Sequence, residues 1–296
     1  MAIGKAIEAA DNLSDTTKQV YQERLAKMQS ELKLPPNRLV RQPIKTLDWI
    51  KQHSDSLQTQ KSYLAAILAL FKYVPKLKEK EARKYTQFSN AFQDIQNQLD
   101  AQAKTNQPTQ KQRQALISWS EIIAARDKQK HSARLLLAMY TYIPPLRSDF
   151  DRVYIYTSPQ TQPIHPNYIL LNDPTPKLVL HQYKTAKSMG PLTSPLPPEL
   201  VTEIKNSLFE EPRDWLFTNR YHKPYDNPAS FTRWANRTLL TVFNKPITIS
   251  ILRHIYISQL DFNKLSIAEK EDIGKRMGHH LGMQDRYRLI RPFGSD

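Results

Sequence analysis

The sequence has no cysteine among its 296 residues. That excludes a thiolate nucleophile, a disulfide scaffold and a zinc site built on cysteine, and leaves the redox compartment open. Glycine is scarce, with six in the whole chain, where an average protein carries about 7%. The phosphate-cradling patterns GxGxxG and GxxxxGK[ST] do not occur, and neither does GxSxG. Long apolar runs are missing too. The longest, Tyr63–Phe71 (YLAAILALF), falls far short of the ~20 residues of a membrane-spanning helix. The opening stretch, MAIGKAIEAADNLSD, has no apolar segment of a secretory signal. No membrane partner is expected.

Acidic residues are outnumbered. Lys and Arg total 43 and Asp and Glu 28, a net charge of +15. Residues 1–112 carry 18 basic and 11 acidic side chains, and residues 113–296 carry 25 and 17. The excess is spread along the chain and does not form a detachable tail. Such a distribution suits a polyanion contacted by the whole molecule, with lysines and arginines displacing condensed counterions. Hydrophobic residues make up 40%, enough for a sizeable core.

Apolar periodicity predicts an amphipathic helix over 15–33; a short helix over 44–52, the most apolar helix over 57–74 and a polar helix over 80–102 are expected to follow. Pro35-Pro36 ends the first, and Ser54 or Ser56 caps the third. No strand pattern occurs in this half. Residues 103–112 (AKTNQPTQKQ) are polar and aperiodic and read as a linker. Beyond it, helices are expected near 118–127 and 131–142. Short β-rich runs follow at 152–157, 168–171 and 177–183. The last two flank Asn172-Asp173-Pro174-Thr175-Pro176, a hairpin-turn composition. Helical patterns return at 198–209, 228–243, 247–262, 267–277 and 282–290. The expected fold is mainly α with a small antiparallel β-sheet.

Four islands in the second half carry chemically useful side chains. They are Pro144-Pro145-Leu146-Arg147-Ser148-Asp149, Gln182-Tyr183-Lys184-Thr185-Ala186-Lys187, Ser250-Ile251-Leu252-Arg253-His254, and Met277-Gly278-His279-His280 followed by Asp285-Arg286-Tyr287-Arg288. Each alone is weak. Their order is informative: Arg, Lys, Arg, Gly-His, then Tyr eight residues after the His. That order resembles the tyrosine recombinase (phage integrase) family, and the Tyr-Lys-Thr-x-Lys and Pro-Pro-Leu-Arg segments are most similar to members carried by viruses and mobile elements. Leu57–Tyr73 is similar to a helix of that family's core-binding domain. The resemblance implies a helical, DNA-binding core-binding domain over 1–102, a linker over 103–112 and a catalytic domain over 113–296. It also implies Arg147 and Arg253 as the paired arginines, Lys184 as the hairpin lysine, His279 as the histidine of the Leu-Gly-His box, and Tyr287 as the nucleophile.

The activity implied is site-specific recombination or integration. The tyrosine oxygen attacks a DNA phosphodiester, forms a 3′-phosphotyrosyl link and releases a 5′-hydroxyl. Two guanidiniums suit the non-bridging oxygens because their planar forks bind in pairs. A lysine can protonate the leaving oxygen. No cofactor and no metal is required, since the covalent link retains the energy for resealing. The expected partner is double-stranded DNA, bound by a homotetramer in the synaptic complex, in whichever compartment holds that DNA. No small-molecule substrate is expected.

Two positions depart from the family pattern. Ser250 stands three residues before Arg253, where His is usual. A serine hydroxyl can donate to phosphate but is no base near neutral pH. His254 lies about 100° away around the helix and is a poor spatial replacement. Phe150 occupies the usual acidic position, so Asp149 or Asp151 must supply any carboxylate. Competing readings are a DNA-binding architectural protein of the same fold, a type IB topoisomerase, a carboxylate- and metal-dependent transposase, and a basic RNA-binding protein. Adjacent His279 and His280 cannot both face one metal from a regular helix. Tyr140, Tyr142, Tyr154, Tyr156, Trp119, Trp215 and Trp234 read as core or sheet residues.

Overall fold

The computed structural model describes residues 3–158 and 163–289. The chain divides into two compact units, residues 1–105 and 106–296. Each has its own apolar core.

Unit 1 is helical: α1 (Ile3–Glu8), α2 (Asp15–Leu32), α3 (Pro36–Arg41), α4 (Pro43–His53), α5 (Leu57–Tyr73), α6 (Leu77–Lys80) and α7 (Ala82–Lys104). Side-chain caps set two of the starts. Ser14 accepts from the Thr17 amide and Ser56 from the Thr59 amide, each satisfying one of the free donors at a helix N-terminus. Helix α5 is the centre of this core, burying Tyr63, Leu64, Ala66, Ile67, Leu70 and Phe71. A helix apolar on most of its circumference must be surrounded, and α2, α4 and α7 supply Met28, Ile50, Phe88 and Ile95 against it. Helix α7 continues through Lys104, and α8 opens at Gln110 with a reciprocal Thr109–Gln112 capping box.

Unit 2 begins with α8 (Gln110–Ala115), α9 (Trp119–Lys128) and α10 (His131–Thr141). Every residue from Leu135 to Tyr140 is buried, so α10 runs through the core. The sheet follows: β1 (Tyr154–Tyr156), β2 (Asn167–Leu170), β3 (Lys177–Leu180), then α11 (Ala186–Met189) and β4 (Leu192–Pro195), in the order β1-β2-β3-β4. The remaining helices are α12 (Pro198–Glu210), α13 (Pro228–Phe243), α14 (Ile249–Gln259), α15 (Ile267–Arg276), a 3₁₀ turn at Leu281–Met283 and α16 (Gln284–Tyr287).

The sheet is mixed, which corrects the antiparallel expectation. Strands β2–β3 and β3–β4 pair antiparallel, but β1 and β2 run parallel, with Ile155 opposite Ile169. Alternation of side chains has period two in either direction, so it cannot tell the two apart. Strand β4 was not expected. Its sequence, LTSP, has only one apolar side chain with strand propensity, yet it shows a buried–exposed alternation at the sheet edge, where proline is tolerated. The helix expected over 282–290 is a 3₁₀ turn and the one-turn α16, and its last residue lies outside the described residues.

Candidate active site

Helix α14 is the foundation. Thr248 caps it by accepting from the Ile251 amide, and Ile249, Ile251, Leu252, Ile255 and Ile257 anchor it in apolar surroundings. Arg253 is embedded among them, only 1% exposed. A guanidinium has donors and no acceptors, and here they are distributed over separate parts of the chain. Nη1 donates to the Pro145 carbonyl (2.7 Å) and the Met277 carbonyl (3.1 Å). Nη2 donates to His279 Nδ1 (3.0 Å). Burial pulls the Arg253 pKa down from its usual value, but such a group stays charged in proteins.

His279 is 2% exposed. Its Nδ1 can only accept from a guanidinium, so the neutral ring carries its proton on Nε2. Burial, with Arg253 and Arg147 nearby, lowers its pKa to about 3. The ring is therefore neutral at physiological pH. Its Nε2–H and the Nε–H of Arg253 are buried donors without a partner among the described residues. Such groups cost roughly 1–3 kcal/mol each when left unpaired.

The turn that presents His279 depends on two glycines. Gly278 sits at φ +67°, where L side chains are strained. A Cβ on Gly274 would lie 2.9 Å from Gln284 Nε2 and 3.0 Å from the His279 carbonyl oxygen. The Gly278 carbonyl accepts from Arg147 Nη1 (2.9 Å) and from Thr185 Oγ1 (2.8 Å). Arg147 thereby joins the same site from the loop after α10, where the Tyr140 hydroxyl donates to the Arg147 carbonyl (2.6 Å).

Tyr287, on α16, lies against this group. Its ring stacks on that of His279 at 5.2 Å between centroids, and Arg253 Cζ is 4.8 Å from its centre. Burial pushes the phenol pKa up, but Arg253 and then Arg147 more than offset it. The net shift is downward. A phenolate beside two guanidiniums is stabilised by charge and by hydrogen bonding.

Four expected site residues, Arg147, Arg253, His279 and Tyr287, thus converge. Lys184 reaches the site through its backbone: its amide donates to Asp149 Oδ1 (3.3 Å), and its neighbour Thr185 bonds Gly278. It stands in the β3–β4 connection, and its ammonium is exposed with no partner among the described residues. Ser250 lies one turn before Arg253 on α14 but is exposed, and its hydroxyl makes no bond among the described residues. Of the two carboxylates, Asp149 belongs to the site. Burial raises its pKa, while the Lys184 amide, Arg147 and Arg253 act to lower it. Phe150 is fully buried, edge-on to Tyr140. The usual acidic position is therefore spent on the core.

Three further side chains contribute, of which Thr185 and Ser258 escape the sequence. Thr185 carried no signal of its own beyond its place beside Lys184. His254, a poor stand-in for the missing histidine, is bonded instead to the Tyr287 carbonyl through Nδ1 (2.8 Å). Ser258 accepts from the Leu289 amide (2.8 Å).

No protein-family model and no curated protein matches the chain. Among solved structures, it is similar to the XerA recombinase at 13% identity and a TM-score of 0.44, covering 98% of this chain and 94% of that one. A likeness that distant assigns no activity.

Proposed function

We propose that this protein is a DNA strand transferase of the tyrosine recombinase type, a site-specific recombinase or integrase, with Tyr287 as nucleophile. The observation that carries the reading is the convergence of Arg147, Arg253 and His279 on one tyrosine whose phenol is held below its ordinary pKa. In this reading the Tyr287 oxygen attacks the scissile phosphorus and the bond to the 5′-oxygen breaks, leaving a 3′-phosphotyrosyl ester. The unpartnered Nε–H of Arg253 and Nε2–H of His279 donate to the non-bridging oxygens as their charge grows. One such donor contributes about 2.7–4 kcal/mol in a well-studied hydrolase. Lys184, exposed on its connection, protonates the departing 5′-oxygen. Asp149 and Thr185 hold that connection and the glycine turn in place. The +15 charge supports a polyanionic partner, which in this reading is double-stranded DNA, and the acting species is a homotetramer. A viral or mobile-element origin agrees with the Tyr-Lys-Thr-x-Lys and Pro-Pro-Leu-Arg segments.

One observation favours a second reading. Ser250 is exposed and unbonded among the described residues, where the family pattern has a histidine. A protein of this type that binds DNA and cleaves it poorly is the alternative. The test is supercoiled plasmid incubated with the protein in chelator, stopped with detergent and digested with protease. The strand transferase gives nicked DNA with peptide on its 3′ end, and Tyr287→Phe abolishes it while DNA retention on a filter is unchanged. Retention without nicking by the unaltered protein would select the second reading. Adduct formation by the Phe variant would reject Tyr287 and turn attention to Tyr256.

A further inference from the structure

The nucleophile-bearing segment is short. Helix α16 is a single turn, and a helix that short has little stability of its own. Something else must hold Tyr287 against Arg253. Two side chains of α14 do so by gripping backbone rather than side chain. His254 Nδ1 bonds the Tyr287 carbonyl oxygen at 2.8 Å, and the Leu289 amide donates to Ser258 Oγ at 2.8 Å. His254 and Ser258 are four residues apart, so they stack on one face of α14. Their partners, Tyr287 at the end of α16 and Leu289 two residues on, lie along that face. A carbonyl can only accept, so His254 carries a proton on Nδ1, opposite in tautomer to His279. Both the neutral and the charged ring keep that proton, so the bond does not depend on pH. The His254 ring also lies 4.9 Å from the Tyr287 ring.

We propose that His254 and Ser258 form a two-point clasp that fixes the Tyr287 segment to the helix carrying Arg253, making both of them positioning residues for strand cleavage. Neither touches the reacting atoms. This inference rests on the reading of Tyr287 as nucleophile. Because Arg253 and the clasp share α14, the hydroxyl and its activating guanidinium are referenced to one rigid element. A displacement of about 1 Å in such a pair can cost on the order of 100-fold in rate.

The test uses the full chain with five variants: His254→Leu, His254→Asn, Ser258→Ala, Ser258→Thr and Tyr287→Phe. Asparagine places an amide N–H near the position of Nδ1, and threonine keeps the hydroxyl. The first readout is hydrogen exchange of the peptide covering residues 284–289, which needs no substrate. The second is the rate of detergent-resistant adduct on supercoiled plasmid, beside plasmid retention as a binding control. The clasp predicts exchange at least tenfold faster in His254→Leu and Ser258→Ala, and adduct formation about tenfold slower at unchanged retention. His254→Asn and Ser258→Thr should recover most of both. Unaltered exchange in His254→Leu and Ser258→Ala would overturn the proposal, as would a His254→Asn variant no better than His254→Leu. Failure of the underlying reading looks different. Tyr287→Phe would then still form adduct, or the unaltered protein would form none, while the exchange comparison still decides whether the clasp exists.

Discussion

His279 has taken on an acceptor's role toward Arg253, and that has a measurable cost in acid. An exposed histidine, such as the unfolded chain provides, titrates near 6.5; in the folded protein His279 titrates at about 3. Between those values the unfolded state binds the extra proton. Stability therefore rises with pH through this window, is fully present above about 6.5, and drains away as pH falls toward 3. At pH 5 the loss amounts to about 2 kcal/mol. Burial depresses the His254 pKa in the same direction, whereas Asp151, raised to about 6 mainly by its own burial, works in the opposite sense. Comparison with His279→Gln cancels both. Urea unfolding at pH 5 and pH 7.5 should show the unaltered protein losing about 2 kcal/mol more than the variant. Equal losses would mean that His279 takes up its proton without disturbing the fold.

At the scale of elements, the glycine turn after α15 is the most demanding join. Gly274→Ala would drive a methyl group into the Gln284 amide and the His279 carbonyl, one of them backbone with little room to yield. Gly278→Ala would impose a left-handed conformation on a residue with a Cβ, a strain of about 1–2 kcal/mol, and place that Cβ 3.4 Å from the Tyr183 ring. Both variants should lower the melting temperature of the protein, Gly274→Ala the more. A neutral Gly274→Ala would show that α16 can move away at no cost. Most elements were legible because their signals are local. The helices α12 and α13 show a clear apolar periodicity and α5 a continuous apolar run, and their ends carry caps or prolines. The parallel β1–β2 pair and the strand β4 were not, since neither direction nor edge pairing is written in a strand's own residues. The site divides along the same line. The convergence of Arg147, Arg253, His279 and Tyr287 was readable because residue types and their order are visible in a sequence. Thr185 and Ser258 were not, because their role is to meet backbone atoms that only the folded chain brings near. His254 was visible beside Arg253 and read as a poor replacement for the usual histidine, but its bond to the Tyr287 carbonyl could not be read, since that backbone atom is brought near only by folding.

For the whole molecule the relevant quantity is charge. Residues 1–105 contain 17 basic and 11 acidic side chains, and residues 106–296 contain 26 and 17. Both units are net positive, and each is built on a separate apolar core. If both meet DNA, each neutralised phosphate adds about 0.9 to the steepness of log affinity against log salt. A fragment of residues 106–296 should bind duplex DNA more weakly than the whole chain, with a shallower slope in a salt titration. An equal slope would show that the first unit contributes no phosphate contact.

On the reading proposed above, Arg253 has two employers. Its guanidinium ties the Pro145 and Met277 carbonyls and the His279 ring to α14 from a position almost sealed from solvent, so removing it leaves buried acceptors unpaired whether or not any DNA is cut. Over generations, a lineage that stopped needing strand cleavage would still be selected to keep this arginine for the sake of folding. Ser250 and the exposed ammonium of Lys184, which bond nothing among the described residues, would be free to drift first. Among descendants, then, a retained Arg253 is a record of a fold still in use, and, on the same reading, the loss of Lys184 is the earlier sign of a chemistry abandoned.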